Sequence, residues 1–178
     1  MRGDLNWQAD FEELVDEHQS MVFSLAWRMT GDRGMAEEVA QDVLLELDRN
    51  LRKLESADHV RFWLRRVTVN RSTDALRRRN AREPGWDEGF WVELEERHGL
   101  VESDEGSALS MRIEELMASL PESQRAALIL RYQEDLSPEE IAATLKSPVA
   151  TVKSQLQRGL KLLRLRASNY LKEYVRGT

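Results

Sequence analysis

The chain has 178 residues, enough for one domain or two small ones, and 26 basic against 32 acidic residues give a net charge of −6. It contains no cysteine, which excludes disulfides and thiolate metal sites and fits a reducing cytoplasm. No apolar run opens the chain, and none approaches the roughly eighteen residues a membrane helix needs, so neither a signal peptide nor membrane insertion is expected.

The charge lies in blocks. Residues 1–50 are acidic, 52–82 basic, 83–105 acidic and 146–166 basic. A net acidic chain argues against a nucleic-acid binder, but segregated blocks point to several partners of different charge.

Residues 1–10 are polar and are expected to be loose. Phe11, Leu14, Val15, His18, Val22, Leu25, Ala26 and Met29 then trace a helical stripe, which Thr30-Gly31-Asp32 stops, with Gly31 as the residue past the helix end. A second helix is predicted from Met35 to Leu51. Ala36, Val39, Ala40, Val43, Leu44, Leu47 and Leu51 face inward, and Glu37, Glu38, Gln41, Asp42, Glu46 and Asp48 face outward. That acidic face is either plainly solvated or a partner surface.

Residues 52–60 form a short connection, and a third helix is predicted from Val60 to Asn80. Phe62, Trp63, Leu64, Val67, Ala75 and Leu76 are its apolar positions, and Arg61, Arg65, Arg66, Arg71, Arg77, Arg78 and Arg79 make it densely basic. Arginine neutralises phosphate and aromatic rings stack on unpaired bases, so this mixture suits single-stranded or melting DNA. Phe62 reads as core, and Trp63 reads equally as core or as a stacking surface, because neighbouring positions on a helix cannot both point inward.

Residues 83–106 read as an acidic linker broken by Pro84, Gly85, Gly89, Gly99 and Gly106, with a short helix around Trp91–His98. Trp86, Phe90 and Trp91 are too apolar for a solvated tether, and they pack back on the protein or dock on a partner. A C-terminal domain begins near Ala108. Leu109, Ile113, Leu116, Met117 and Leu120 mark its first helix, and Glu122–Tyr132 its second.

Ser137-Pro138-Glu139-Glu140 carries an N-cap serine, proline at the first helical position and glutamate at the third, which is a capping box. Ser147-Pro148 repeats the start ten residues later. The helix between them can run only from Pro138 to Leu145, so a short helix, a tight turn and a longer helix make a helix-turn-helix. In the longer helix Val149, Val152, Leu156, Leu160 and Leu163 form the apolar stripe, and Thr151, Lys153, Ser154, Gln155, Gln157, Arg158 and Lys161 lie off it. Those side chains bond base edges and phosphates, and no acid occurs between Lys146 and Arg166. A solvated basic face is the competing explanation. The tail at 167–175 continues this helix.

These segments resemble the sigma-70 family, specifically its extracytoplasmic-function (ECF, group 4) sigma factors. The resemblance rests on Leu120-Pro121-Glu122-x-Gln124-Arg125, Leu136-Ser137-x-Glu139-Glu140-Ile141-Ala142 and Val149-x-Thr151-Val152-Lys153-Ser154, which look like region 4. Gly31-Asp32-x-x-x-Ala36-Glu37-Glu38-x-x-Gln41-Asp42 looks like region 2.2, and the run from Arg61 through Asn70 and Asp74 to Arg77-Arg78-Arg79 looks like regions 2.3 and 2.4.

The resemblance implies an all-α chain of two small helical domains, region 2-like at 1–82 and region 4-like at 107–178, joined by the acidic linker. It implies a promoter-specificity subunit of RNA polymerase. Glu38, Gln41 and Asp42 would bind core polymerase. Arg52, Lys53, Ser56, Trp63, Arg66, Asn70, Arg71, Arg77 and Arg78 would bind and melt −10 DNA, with the loop at Leu51–His59 capturing a flipped base. Arg131, Thr151, Lys153, Ser154, Gln155, Gln157 and Arg158 would read the −35 duplex. Core RNA polymerase, promoter DNA and an inhibitory anti-sigma factor are the implied partners, the free chain is expected to be monomeric and cytoplasmic, and no cofactor or metal is expected.

Three features depart from the family pattern. Lys146 stands in the turn where glycine is usual, and a positive φ there would cost about 1 kcal/mol. Gln155 and Gln157 replace an arginine and an aromatic or histidine, which favours adenines. Gly159 interrupts a helix at a cost of roughly 1 kcal/mol.

An enzyme finds no support. His18, His59 and His98 are isolated, and no phosphate-cradling glycine loop or nucleophile motif occurs. A stand-alone helix-turn-helix regulator would leave the basic third helix and the acidic second-helix face unexplained. A sigma-like protein without melting activity differs from a working sigma factor only in DNA opening.

Overall fold

The computed structural model describes residues 7–82 and 105–176. The described residues form seven α-helices and one 3-10 turn. They are α1 (Trp7–Thr30), α2 (Arg33–Asn50), the turn Leu51–Lys53, α3 (Ala57–Arg82), α4 (Glu105–Ala118), α5 (Glu122–Tyr132), α6 (Pro138–Leu145) and α7 (Val149–Arg176).

The N-terminal half is a three-helix unit. Its ends follow from local chemistry. Gly31 takes φ 68° past α1, and its N–H bonds the Trp27 carbonyl at 2.7 Å. Asp32 then caps α2, accepting from the Met35 N–H at 2.8 Å. Val22, Ala26, Ala36, Val39, Val43, Leu47, Val60 and Leu64 interlock as one core. The stripes expected for α1 and α2 are the faces that pack. Several boundaries move by a few residues. Trp7–Asp10 are already helical, where a loose segment was expected, and α3 starts at Ala57 rather than Val60.

The C-terminal half packs α5, α6 and α7 as a trihelical unit, with α4 leading in. Ser137 caps α6 through a complete capping box, its Oγ accepting from the Glu140 N–H at 3.2 Å while its own N–H donates to Glu140 Oε2 at 2.8 Å. That hydrogen bonding holds the Glu140 carboxyl below its ordinary pKa. Lys146 closes α6 at φ 49°, so the sequence spends a non-glycine residue on a left-handed turn. Ile113, one of the apolar residues that mark α4, is half exposed, and Glu115 is the buried residue of that turn, paired with Arg112 at 2.7 Å.

The two halves do not stand apart. Leu25 and Met29 of α1 and Val69 of α3 share one buried cluster with Ala126, Ile129 and Leu130 of α5 and with Leu136, Ile141, Ala142 and Val152. Arg125 ties this seam. Its guanidinium donates to the Met29 carbonyl at 2.6 Å, to the Leu120 carbonyl at 3.0 Å and to the Ala118 carbonyl. Burial, with Arg79 nearby and against the pull of Glu122, pushes its pKa down to about 10, so it stays charged at neutral pH. The linker helix near Trp91–His98 and the docking of Trp86, Phe90 and Trp91 lie outside the described residues.

Candidate nucleic-acid interface

The capping box and the Lys146 turn set α6 against α7, and buried Val152 anchors α7 on the core. Thr151, Lys153, Gln157 and Arg158 are left exposed along the N-terminal half of α7. Lys153 lies 3.7 Å from Glu139, a solvated pair that phosphate can replace.

Three expected readers sit differently. Ser154 and Gln155 are half-buried, and the Gln155 carbonyl oxygen is enclosed without a hydrogen-bond partner. It is aimed into the helix packing, because position 155 lies on the shoulder of the apolar stripe rather than opposite it. Arg131 donates to the Leu136 carbonyl at 3.0 Å and braces the turn between α5 and α6. A shallow groove of about 550 Å³ continues down α7, lined by Gln124, Arg158, Lys161, Arg164 and Leu165.

The second surface is α3. Asn70, Arg71, Arg77 and Arg78 are exposed, and Arg66 is half-buried. Two of these arginines already hold carboxylates. Arg71 meets Glu46 at 2.6 Å, and that hydrogen bond and charge raise its pKa. Arg77 meets Glu122 of the other half at 2.9 Å. Trp63, not Phe62, packs against the N-terminal core, which reverses the expectation that Phe62 is the core residue of the pair.

The expected capture loop is shorter than Leu51–His59, because a 3-10 turn and the start of α3 occupy both its ends. Ser56 accepts from the His59 N–H at 3.1 Å and so caps α3, while Arg52 and Lys53 project into solvent.

The outer face of α2 is the third surface. Glu38, Gln41 and Asp42 are exposed on it, and Leu45 lies beside them at 59% exposure. Among the described residues no group of His, Cys, Asp or Glu could hold a metal ion, and no helix is long and apolar enough to cross a membrane.

A capped helix-turn-helix whose longer helix is basic, carried beside a second basic helix and an acidic face, is the arrangement of a DNA-binding protein built from helical modules. Residues 14–82 match the family described as Sigma-70 region 2, and residues 110–163 match Sigma-70, region 4. The ECF RNA polymerase sigma factor SigE of Mycolicibacterium smegmatis is 32% identical over 163 residues, which cover 91% of this chain and 63% of that protein. The RNA polymerase sigma-H factor of Pseudomonas aeruginosa is 33% identical, covering 88% of this chain and 84% of that protein. ECF sigma factor SigW of Bacillus subtilis is 28% identical, covering 88% of each. The fold resembles that of sigma factor RpoE in complex with the anti-sigma factor NepR from Bartonella quintana, at TM-score 0.67 and 20% identity over 87% of this chain and 94% of that one. It also resembles CnrH in complex with the cytosolic domain of CnrY, at TM-score 0.63 and 20% identity over 91% and 90%. The chain belongs to the sigma-70 family and, within it, to the ECF sigma factors, which direct transcription.

Proposed function

We propose that this chain joins core RNA polymerase and selects promoters by a division of labour among three surfaces. The outer face of α2, with Glu38, Gln41 and Asp42 around Leu45, docks on polymerase. The exposed edge of α3, with Asn70, Arg71, Arg77 and Arg78, holds the melted −10 strand, and Arg52 and Lys53 extend its positive field. The exposed side of α7, with Thr151, Lys153, Gln157 and Arg158, enters the −35 major groove. The division into a module ending near residue 82 and one beginning near residue 107 is part of the proposal, and the family matches at 14–82 and 110–163 support it.

The observation that carries this reading is the exposure of α7 residues Lys153, Gln157 and Arg158 in the same chain as a solvent-facing α3 bearing Asn70 and Arg78. A duplex reader and a single-strand binder on one chain serve recognition followed by opening. The chain itself breaks no covalent bond. Because the fold is shared with sigma factors solved with anti-sigma proteins, an inhibitory partner of that kind is part of the proposal. So is residence in the cytoplasm, where polymerase and promoter meet.

The test is opening of a candidate promoter, reported by a fluorescent base in the −10 region, with core polymerase alone and with the chain added. Chain-dependent opening that is lost in Asn70→Ala and in Arg77→Ala/Arg78→Ala is the expected result. Specific promoter binding by the free chain, without co-elution with polymerase, would instead establish a stand-alone regulator.

A further inference from the structure

The groove down the second half of α7 has an apolar floor and a basic rim. Leu162 and Leu165 form the floor, with Leu165 58% exposed, and Arg158, Lys161 and Arg164 stand along it. The stems of those long side chains are themselves apolar, so most of the surface offered is carbon. Gln124 of α5 lines the groove from the other side. Its Oε1 is buried and has no hydrogen-bond partner among the described residues. A buried acceptor is costly to leave without a donor.

One stretch of the chain has the complementary chemistry. Residues 83–104 carry eight acids against Arg97 as their one arginine or lysine, and Trp86, Phe90 and Trp91 lie among those acids. Aromatic bodies suit Leu162 and Leu165, an indole N–H is a donor for Gln124, and carboxylates match Lys161 and Arg164. The segment also begins beside the groove. Arg77 Nε donates to Glu122 Oε1 at 3.0 Å, which sets the end of α3 against the start of α5. Gln124 follows Glu122 closely, and α3 ends at Arg82, about 7.5 Å past Arg77 at 1.5 Å per residue. The 22 residues from 83 to 104 span up to roughly 75 Å when extended, against about 15 Å of α7 from Arg158 to Ser168. The chain then returns at Glu105, where α4 begins, and α4 packs on α7.

We propose that residues 83–104 dock in this groove of their own chain, with aromatic side chains on Leu162 and Leu165 and carboxylates on Lys161 and Arg164. Tethering makes a modest contact sufficient. A linked segment meets its site at roughly millimolar effective concentration, so a surface too weak to hold a separate peptide holds this one. A nucleic-acid strand suits the groove less well, because the leucine floor offers nothing to phosphate. Arg158 belongs both to the groove and to the residues assigned above to −35 DNA. The docked acids and the −35 phosphates therefore compete for one guanidinium. That consequence rests on the assignment of α7 to −35 DNA, whereas the docking does not.

The absence of native cysteine allows a single reporter in the full chain. Ser168→Cys, exposed on the groove, is labelled with bimane, whose emission tryptophan quenches at contact. Trp86→Phe/Trp91→Phe keeps the aromatic character and removes the quencher, so emission is expected to rise about twofold or more if the tethered site is mostly filled. Lys161→Glu/Arg164→Glu, with both tryptophans retained, is expected to raise emission as well, and a far-ultraviolet spectrum confirms that each variant is folded. Emission unchanged by Trp86→Phe/Trp91→Phe would overturn the docking. Quenching lost on dilution would give the groove to the segment of a second copy, and a groove reporter that responds only to added core polymerase would give it to polymerase; either result overturns the proposal. A −35 duplex that binds the free chain is expected to raise the parent's emission, and bound duplex with quenching intact would overturn the competition at Arg158. The reading in the free chain needs neither polymerase nor promoter opening. A quenched chain that opens no promoter would fail the proposed function alone, and a promoter-opening chain without quenching would fail the docking alone.

Discussion

Replacing Gly159 by alanine should destabilise the chain, although helix propensity says the opposite. Within a helix interior, alanine is favoured over glycine by about 1 kcal/mol. Gly159, however, is where α7 crosses α5. A Cβ there would lie 2.8 Å from Leu128 Cδ1, 3.2 Å from Leu128 Cγ and 3.4 Å from Gln124 Cβ. Carbon atoms in contact prefer roughly 3.5–4.0 Å. Leu128 is 1% exposed, so it has no open space into which to turn. Overpacking of this kind costs about 1–3 kcal/mol, which outweighs the propensity gain and leaves a net loss of roughly 1 kcal/mol. Urea denaturation of the full chain measures it. Leu128→Ala alone should cost about 2–5 kcal/mol, and the double variant should cost less than the sum of the singles by about 1–2 kcal/mol, since the smaller side chain makes room for the methyl. A more stable Gly159→Ala, or strict additivity, would refute the steric account.

Lys146→Gly should stabilise by roughly 0.5–1 kcal/mol, because it relieves the left-handed turn at φ 49° against a greater loss of chain entropy, and the same denaturation series reads it. Stability should fall as pH drops below about 6.5, because burial, the largest influence, lowers the His18 pKa from that ordinary value while Glu17 opposes and Arg61 and Arg65 assist. The folded chain then binds fewer protons than the unfolded one, the loss begins as unfolded-state histidine charges, and His18→Gln should flatten that part of the profile. In holoenzyme binding to −35 duplexes, Lys153→Ala should weaken all sequences alike and reduce the salt slope by about 1, whereas Gln157→Ala should cost about 1–3 kcal/mol and relax preference at one base pair.

Much was legible in the chain itself, for local physical reasons. Ser137, Pro138 and Glu140 lie within four positions and satisfy one another's backbone groups, so the start of α6 is written where it occurs. Gly31 and Asp32 end one helix and begin the next in the same way. The period of Ala36, Val39, Ala40, Val43 and Leu47 gives the buried face of α2 whatever it packs on. Exposure of Lys153, Gln157 and Arg158 follows from the opposite face of one amphipathic helix. What needed the tertiary structure was each decision made by a neighbour distant in sequence. Gly159 reads as a defect until Leu128 appears against it. Phe62 has the better title to the core until α1 and α2 take Trp63 instead. Arg65 and Arg77 read as two of a row of DNA-binding arginines, yet their partners are Glu134 and Glu122 from the other half. Periodicity assigns a residue to a face, but the element that meets that face is chosen by the sum of packing and charge over the whole chain.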